Sequence, residues 1–138
     1  MILFDTSVII DARDPDSHFH DWAKQQIARA VATDGAAVNT VIVSEASVRV
    51  EKREHFARHL ENIGLTLLPL PVAAALPAAR SYARYLDRLK AEGKPAKSKI
   101  PLGDFLIGAH AEASGMKLVT RDPARVSVYF PQVELIQP

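Results

Sequence analysis

Four acidic side chains, Asp5, Glu45, Asp104 and Asp122, stand beside short apolar runs in a pattern that suits metal-assisted chemistry. Asp5 directly follows Ile2-Leu3-Phe4. Glu45 lies two residues beyond the run Ala37–Val43, and Asp122 two residues beyond Leu118-Val119-Thr120. Asp104 opens a helical stretch that leads into this last run. In open parallel α/β sheets, ligands bind beyond the carboxyl ends of the strands, at the point where strand order reverses. Carboxylates distributed in this way are drawn toward one edge of a sheet. Hard divalent cations such as Mg²⁺ or Mn²⁺ take oxygen ligands and retain waters and substrate phosphate oxygens. Two unit charges about 4 Å apart repel by roughly 4 kcal/mol at an effective dielectric near 20, so such a cluster requires cations, protons or buried donors. Each acid also has a purely structural reading. Asp5 suits the cap of a turn at Val8-Ile9-Ile10, Asp104 a helix start, and Asp122 the turn before Pro123. Glu45 suits the positive end of a helix dipole. Residue types and positions leave both readings open.

The elements that must position these acids are legible as alternating strands and helices. Ile2–Phe4 reads as a buried strand, with Asp5 or Ser7 as a following cap. Phe19, Trp22, Ala23, Ile27, Ala30 and Val31 recur at three- and four-residue steps, which predicts an amphipathic helix over Ser17–Ala32, with Trp22 anchoring the core. Ala37–Val43 reads as the second strand, and Ser44 as the cap of a helix running from Glu45 to about Asn62. Leu65–Leu68 is a third strand. Val72 to about Ala91 is helical, kinked or split at Pro77. Gly93–Pro101 is a loop, Asp104–Ser114 a helix, Lys117–Thr120 a fourth strand and Val133–Ile136 a fifth. Strands separated by helices imply an α/β fold: a central parallel sheet of four to five strands with helices on both faces. No repeat or composition break divides residues 1–138, which predicts a single domain.

Composition narrows the chemistry. The 138 residues include no cysteine, which excludes thiol catalysis, Cys-ligated zinc, iron–sulfur clusters and a disulfide scaffold. Hydrophobic residues at 48% and charged residues at 24% exclude wholesale disorder. With 17 basic and 16 acidic side chains the net charge is +1, which excludes a highly basic nucleic-acid coat but leaves room for a local basic surface. The start Met1-Ile2-Leu3-Phe4-Asp5 does not resemble a signal peptide. The longest uncharged run, Asn62–Ala79, contains Pro69, Pro71 and Pro77, so no membrane-spanning helix is expected and a cytoplasmic location is.

Order and neighbours add to the positions. The series Leu3-Phe4-Asp5-Thr6-Ser7, Val43-Ser44-Glu45, Leu102-Gly103-Asp104-Phe105-Leu106-Ile107-Gly108-Ala109-His110-Ala111 and Leu118-Val119-Thr120-Arg121-Asp122 resembles the PIN-domain nucleases, and among them the VapC-type toxins of bacterial toxin–antitoxin pairs. The closing Tyr129–Ile136 is similar to the family's C-terminal strand, so the resemblance spans essentially the whole chain. Ser7 stands where many relatives carry Asn, and Gly108 and His110 replace the more usual small or amide residues. The resemblance implies a PIN-like three-layer sandwich and a metal-dependent endoribonuclease. Asp5 and Asp104 would be the most direct ligands of Mg²⁺ or Mn²⁺, with Glu45 and Asp122 completing the site directly or through water. Thr6 and Thr120 match positions whose hydroxyls orient the carboxylates. It further implies an RNA substrate, a homodimer, and a VapB-type antitoxin whose tail occupies the acidic groove.

Other groups are less specific. Arg80, Arg84 and Arg88 repeat every four residues, and Lys90, Lys94, Lys97 and Lys99 carry the charge toward Asp104. They read either as a solvated helix face or as phosphate contacts. Tyr82 and Tyr85 suit base stacking or core packing. His18 and His20 read as surface or helix-start residues. His55 and His59 are four apart on a predicted helix but lack a third ligand. Two other functions are compatible with an acid-ended sheet. An aspartyl-phosphate phosphatase needs a second Asp where Ser7 stands, and a non-catalytic binding module would use the acids as caps.

Overall fold

The computed structural model of the protein describes residues 1–95 and 100–138. Five strands form one parallel sheet: β1 (Ile2–Phe4), β2 (Ala36–Asn39), β3 (Leu65–Leu68), β4 (Lys117–Val119) and β5 (Leu135–Ile136), in the order β3-β2-β1-β4-β5. Every residue of β1 and β2 is buried. Successive side chains point to opposite faces, so helices must cover both. The chain winds outward from β1 through β2 to β3, then returns to lay β4 on the other side of β1. Strand order therefore reverses between β1 and β4, and the crevice of the fold opens there.

The covering helices are α1 (Thr6–Arg13), α2 (His20–Ala32), α3 (Thr40–Ser47), α4 (Phe56–Asn62), α5 (Ala75–Ala91), α6 (Leu102–Ser114) and α7 (Pro123–Tyr129). The core is continuous from Leu3, Phe4, Val8 and Ile9 through Val38 and Ile42 to Phe105, Ile107, Leu118 and Val119. Tyr82, Tyr85, Phe105, Tyr129 and Phe130 form one ring cluster, with Phe105 centroids 5.1 Å from Tyr82, 5.3 Å from Tyr85 and 5.2 Å from Tyr129. Edge and tilted contacts of this kind are favourable for aromatic quadrupoles. They anchor α6 from the residue next to Asp104, and both tyrosines serve packing. Trp22 is only half-buried and packs on the margin of the core rather than within it.

The second strand is shorter than its apolar run predicts. It ends at Asn39, and Thr40-Val41-Ile42-Val43 is helical. The Asn39 side chain is buried, and its Oδ1 accepts from the Ile42 backbone N at 3.0 Å, capping α3. Its amide nitrogen must then donate, and it lies 3.0 Å from His110 Nδ1 on α6. Nδ1 is therefore the acceptor, and the buried imidazole is neutral with its proton on Nε2. A cap satisfied on both sides outweighs the strand preference of four β-branched residues. Ser44 consequently lies inside α3, its hydroxyl bonded back to the Thr40 carbonyl at 2.9 Å, and caps nothing. The helix expected from Glu45 to Asn62 is broken by a turn and a 3₁₀ segment, Arg53–His55, before α4.

Smaller differences have equally local causes. α2 begins at His20 rather than Ser17, because Ser17 and Asp14 close turns ahead of it. Pro77 neither kinks nor splits α5: it lies in the first turn, where a missing N–H costs no helix bond, after a 3₁₀ turn at Val72–Ala74. α7 does not follow from apolar periodicity, yet Asp122-Pro123 carries the signal of proline at a first helical position.

Candidate metal centre at the strand switch point

Asp5 directly follows β1 in extended conformation and caps α1, its Oδ1 accepting from the Thr6 backbone N at 2.7 Å. The other oxygen, Oδ2, accepts from the hydroxyls of Thr120 at 2.8 Å and Ser7 at 3.3 Å. Thr120 is buried just past β4, and its Oγ1 also accepts from the Asp122 backbone N at 3.0 Å. One hydroxyl thus ties the turn after β4 to the carboxylate after β1, across the two strands that flank the switch point. Thr6 uses its hydroxyl on Glu45 Oε2. Glu45 reaches the cleft from within α3, backed by Gly103 of α6, where a Cβ would collide with its Oε1.

Asp104 occupies the third position of α6, whose cap position is Pro101, and its side chain caps nothing. Arg125 of α7 lies between two acids: Nη1 is 2.8 Å from Asp104 Oδ2, and Nη2 is 2.6 Å from Asp122 Oδ2. Burial pushes the Asp104 carboxyl up to about 6 from an ordinary 3.8; Arg125 opposes the rise, and the negative charges of Asp5, Glu45 and Asp122 add to it. Asp104 therefore senses all three other acids. Together they wall a cleft of about 590 Å³ with Thr6, Ser7, Ile10, Arg121 and Arg125. Arg121 is tethered, its Nε 2.7 Å from buried Asp11 and its guanidinium 5.2 Å from the Phe19 ring centroid.

The donor set is all oxygen, which suits a hard divalent cation. As the side chains stand, no three acidic or histidine residues among those described close into a coordination group. Arg125 holds Asp104 and Asp122, and Thr6 holds Glu45.

The family described as PIN domain matches residues 2–130. The chain belongs to the PIN-domain family. Among curated relatives of this PIN domain, the plasmid stability protein StbB of Pseudomonas syringae pv. tomato is 30% identical over 124 residues, 88% of each chain. Solved structures share the fold. A toxin–antitoxin complex from Klebsiella pneumoniae aligns with TM-score 0.68 at 20% identity, over 100% of this chain and 98% of that one. VapBC2 from Rickettsia felis, bound to a DNA fragment from its promoter, aligns with TM-score 0.66 at 18% identity, over 100% and 99%. FitAcB from Neisseria gonorrhoeae aligns with TM-score 0.63 at 21% identity, over 100% and 98%.

The PIN domain brings all four acids singled out from sequence to one cleft, with Thr6 and Thr120 bonded to two of them. The capping reading describes Asp5 and fails elsewhere: Asp122 occupies the cap position of α7 but its carboxylate accepts no backbone N–H there, and Glu45 lies in the last turn of α3, away from the positive end of the helix dipole. Arg80, Arg84 and Arg88 are exposed on α5 and line no part of the acidic cleft. Arg88 pairs with Glu92 at 3.0 Å and lines a second cavity of about 520 Å³ that shares Arg125 with the first. Lys97 and Lys99 lie outside the described residues. His55 and His59 are both exposed and sit on different elements, a 3₁₀ turn and α4. Arg125 and Arg121 escaped sequence reading. A signal for Arg125 existed, since an Asp and an Arg three apart pair on a helix face, but only once α7 is recognised.

Two tests arise here. Gly103→Ala places a methyl against Oε1 at the far end of the Glu45 side chain, so the fold gives way there cheaply while the carboxylate is displaced from its bond with Thr6. The expected result is a melting temperature within about 2 °C of wild type and at least a tenfold loss of any activity that uses Glu45. The pH dependence of His110 runs through its burial, which lowers its pKa. Below its ordinary value of 6.5 the unfolded chain takes up a proton that the folded protein refuses, so stability is lost as pH falls. Asp104, with its raised pKa, gains folded-state stability over the same fall. The difference between wild type and His110→Gln isolates the imidazole. With metal chelated, the wild-type advantage in urea melts should shrink from pH 7.5 to pH 5; a constant difference would contradict a neutral, buried His110.

Proposed function

We propose that this PIN domain is an Mg²⁺- or Mn²⁺-dependent endoribonuclease, the toxin of a toxin–antitoxin pair, with Asp5, Glu45, Asp104 and Asp122 as its catalytic and metal-holding residues. The observation that carries the reading is the meeting of these four acids at the strand switch point, with one of them held near pH 6 by burial and by the other three. A bound divalent cation would polarise a water for in-line attack on a phosphodiester and steady the leaving oxygen. The chain's own contribution is to orient oxygens. Thr120 and Ser7 donate to Asp5, and Thr6 donates to Glu45, which fixes the lone pairs left for a ligand. Arg121, set by Asp11 and Phe19, faces the cleft as a phosphate contact. Arg80, Arg84, Arg88, Lys97 and Lys99 would extend the RNA path by non-specific phosphate attraction. A cognate VapB-type antitoxin and a homodimer complete the proposal, the former supported by similar solved chains that are toxin–antitoxin complexes. Among the described residues no helix is long and apolar enough to cross a membrane.

The test is direct. Purified protein is incubated with a mixed pool of synthetic RNAs under Mg²⁺, Mn²⁺ and chelator. Internal cleavage that requires the cation supports the reading. Metal binding without cleavage of any RNA would favour a non-catalytic module.

A further inference from the structure

Arg125 has features that a fixed structural brace does not require. It bridges acids from two different elements, Asp104 of α6 and Asp122 ahead of α7, so its guanidinium fills the space between two of the oxygens a cation would use. Its third nitrogen, Nε, is buried with no hydrogen-bond acceptor, a donor left unsatisfied in the present position. Its side chain forms part of the wall of both the acidic cleft and the adjoining cavity, where Arg88, Lys94 and Tyr129 also stand. A guanidinium and a dication on the same carboxylate oxygens exclude one another by charge and by space. The planar fork that fits carboxylates fits phosphate equally well.

We propose that Arg125 is an exchangeable internal counter-ion: it seats on Asp104 and Asp122 while the cleft lacks metal, yields those oxygens to a divalent cation, and then pairs with a phosphate of the RNA. This rests on the nuclease reading above. Its consequence is positive coupling. Metal frees the group that RNA needs, and RNA holds away the group that competes with metal, so each raises the affinity of the other by the same factor.

Mn²⁺ affinity is measured by calorimetry for wild type, Arg125→Gln and Arg125→Lys, alone and with a 2′-O-methyl phosphorothioate oligonucleotide as a slowly cleaved RNA mimic. Without oligonucleotide, Arg125→Gln should bind Mn²⁺ roughly five- to tenfold more tightly than wild type, and Arg125→Lys should fall between them. Oligonucleotide should tighten Mn²⁺ binding in both proteins through phosphate oxygens on the cation, and several-fold more in wild type than in Arg125→Gln; an equal gain in the two would overturn the phosphate-pairing step. A measurement on the unmodified protein guards against a misfolded variant: saturating Mg²⁺ should move the Arg125 Nε–H resonance in ¹⁵N spectra. Equal or weaker Mn²⁺ affinity in Arg125→Gln, or an Nε–H signal unmoved by Mg²⁺, would overturn the exchange. If wild type binds metal and cleaves RNA while either of those results is found, the exchange alone fails. If wild type binds no metal and cleaves no RNA, the nuclease reading fails and the exchange with it.

Discussion

Asp104→Asn is expected to raise the melting temperature of the metal-free protein and to abolish its response to metal. An ionised carboxyl held near 6 rather than at 3.8 opposes folding at pH 7 by about 1–3 kcal/mol. The sign follows from linkage. The folded state holds the proton more tightly than the unfolded chain, so the cost is complete above pH 6 and vanishes as pH falls below the unfolded value. Asparagine removes the charge, and because Asp104 caps nothing, no helix bond is lost. Wild type should gain about 2.7 kcal/mol from a cation at 100 times its dissociation constant. The variant should lose most of that gain, together with RNA cleavage by three orders of magnitude or more. Paired melting curves with chelator and with Mn²⁺, plus a cleavage assay, read all three effects. Equal metal-induced shifts in the two proteins would remove Asp104 from the site.

Gly108→Ala should destabilise the fold by about 1–3 kcal/mol, against the usual rule for helices. An alanine replacing glycine inside a helix ordinarily gains about 1 kcal/mol. Here the added Cβ would lie inside the van der Waals surface of the Phe130 ring, at Cδ2 and Cε2. Phe130 is 3% exposed and packs edge-on to Phe105, so the ring has nowhere to turn and α6 cannot move without carrying Asp104 with it. Overpacking of this kind typically costs 1–3 kcal/mol, or roughly 3–10 °C for a domain of this size. Phe130→Leu in the same chain should recover part of the loss by making room. A melting temperature equal to or above wild type would show that α6 and Phe130 separate more freely than their contact implies.

Strands β1, β3 and β4 were legible from sequence because short apolar runs bounded by turn residues mark strands, whether the run is buried throughout, as in β1, or lies partly exposed at the sheet edge, as in β3. The four acids were legible for a related reason. In a parallel sheet the end of a strand is also its position in space, so Asp5 and Asp122 announce the edge they occupy. The boundary between β2 and α3 was not legible. A β-branched run such as Thr40–Val43 reads as a strand, and its helical outcome depends on Asn39 being buried against His110, a residue 71 positions away. Glu45 consequently reaches the cleft from the last turn of a short helix rather than from the first residue of a long one. Arg125 was still further from view, since by sequence it is one of many cations on a nearly neutral chain. Local pattern records which residues are buried and with what period. It carries no information on which charge stands opposite which, and that pairing was decided by the strand order that lays β4 beside β1 and brings α6 and α7 to the same crevice.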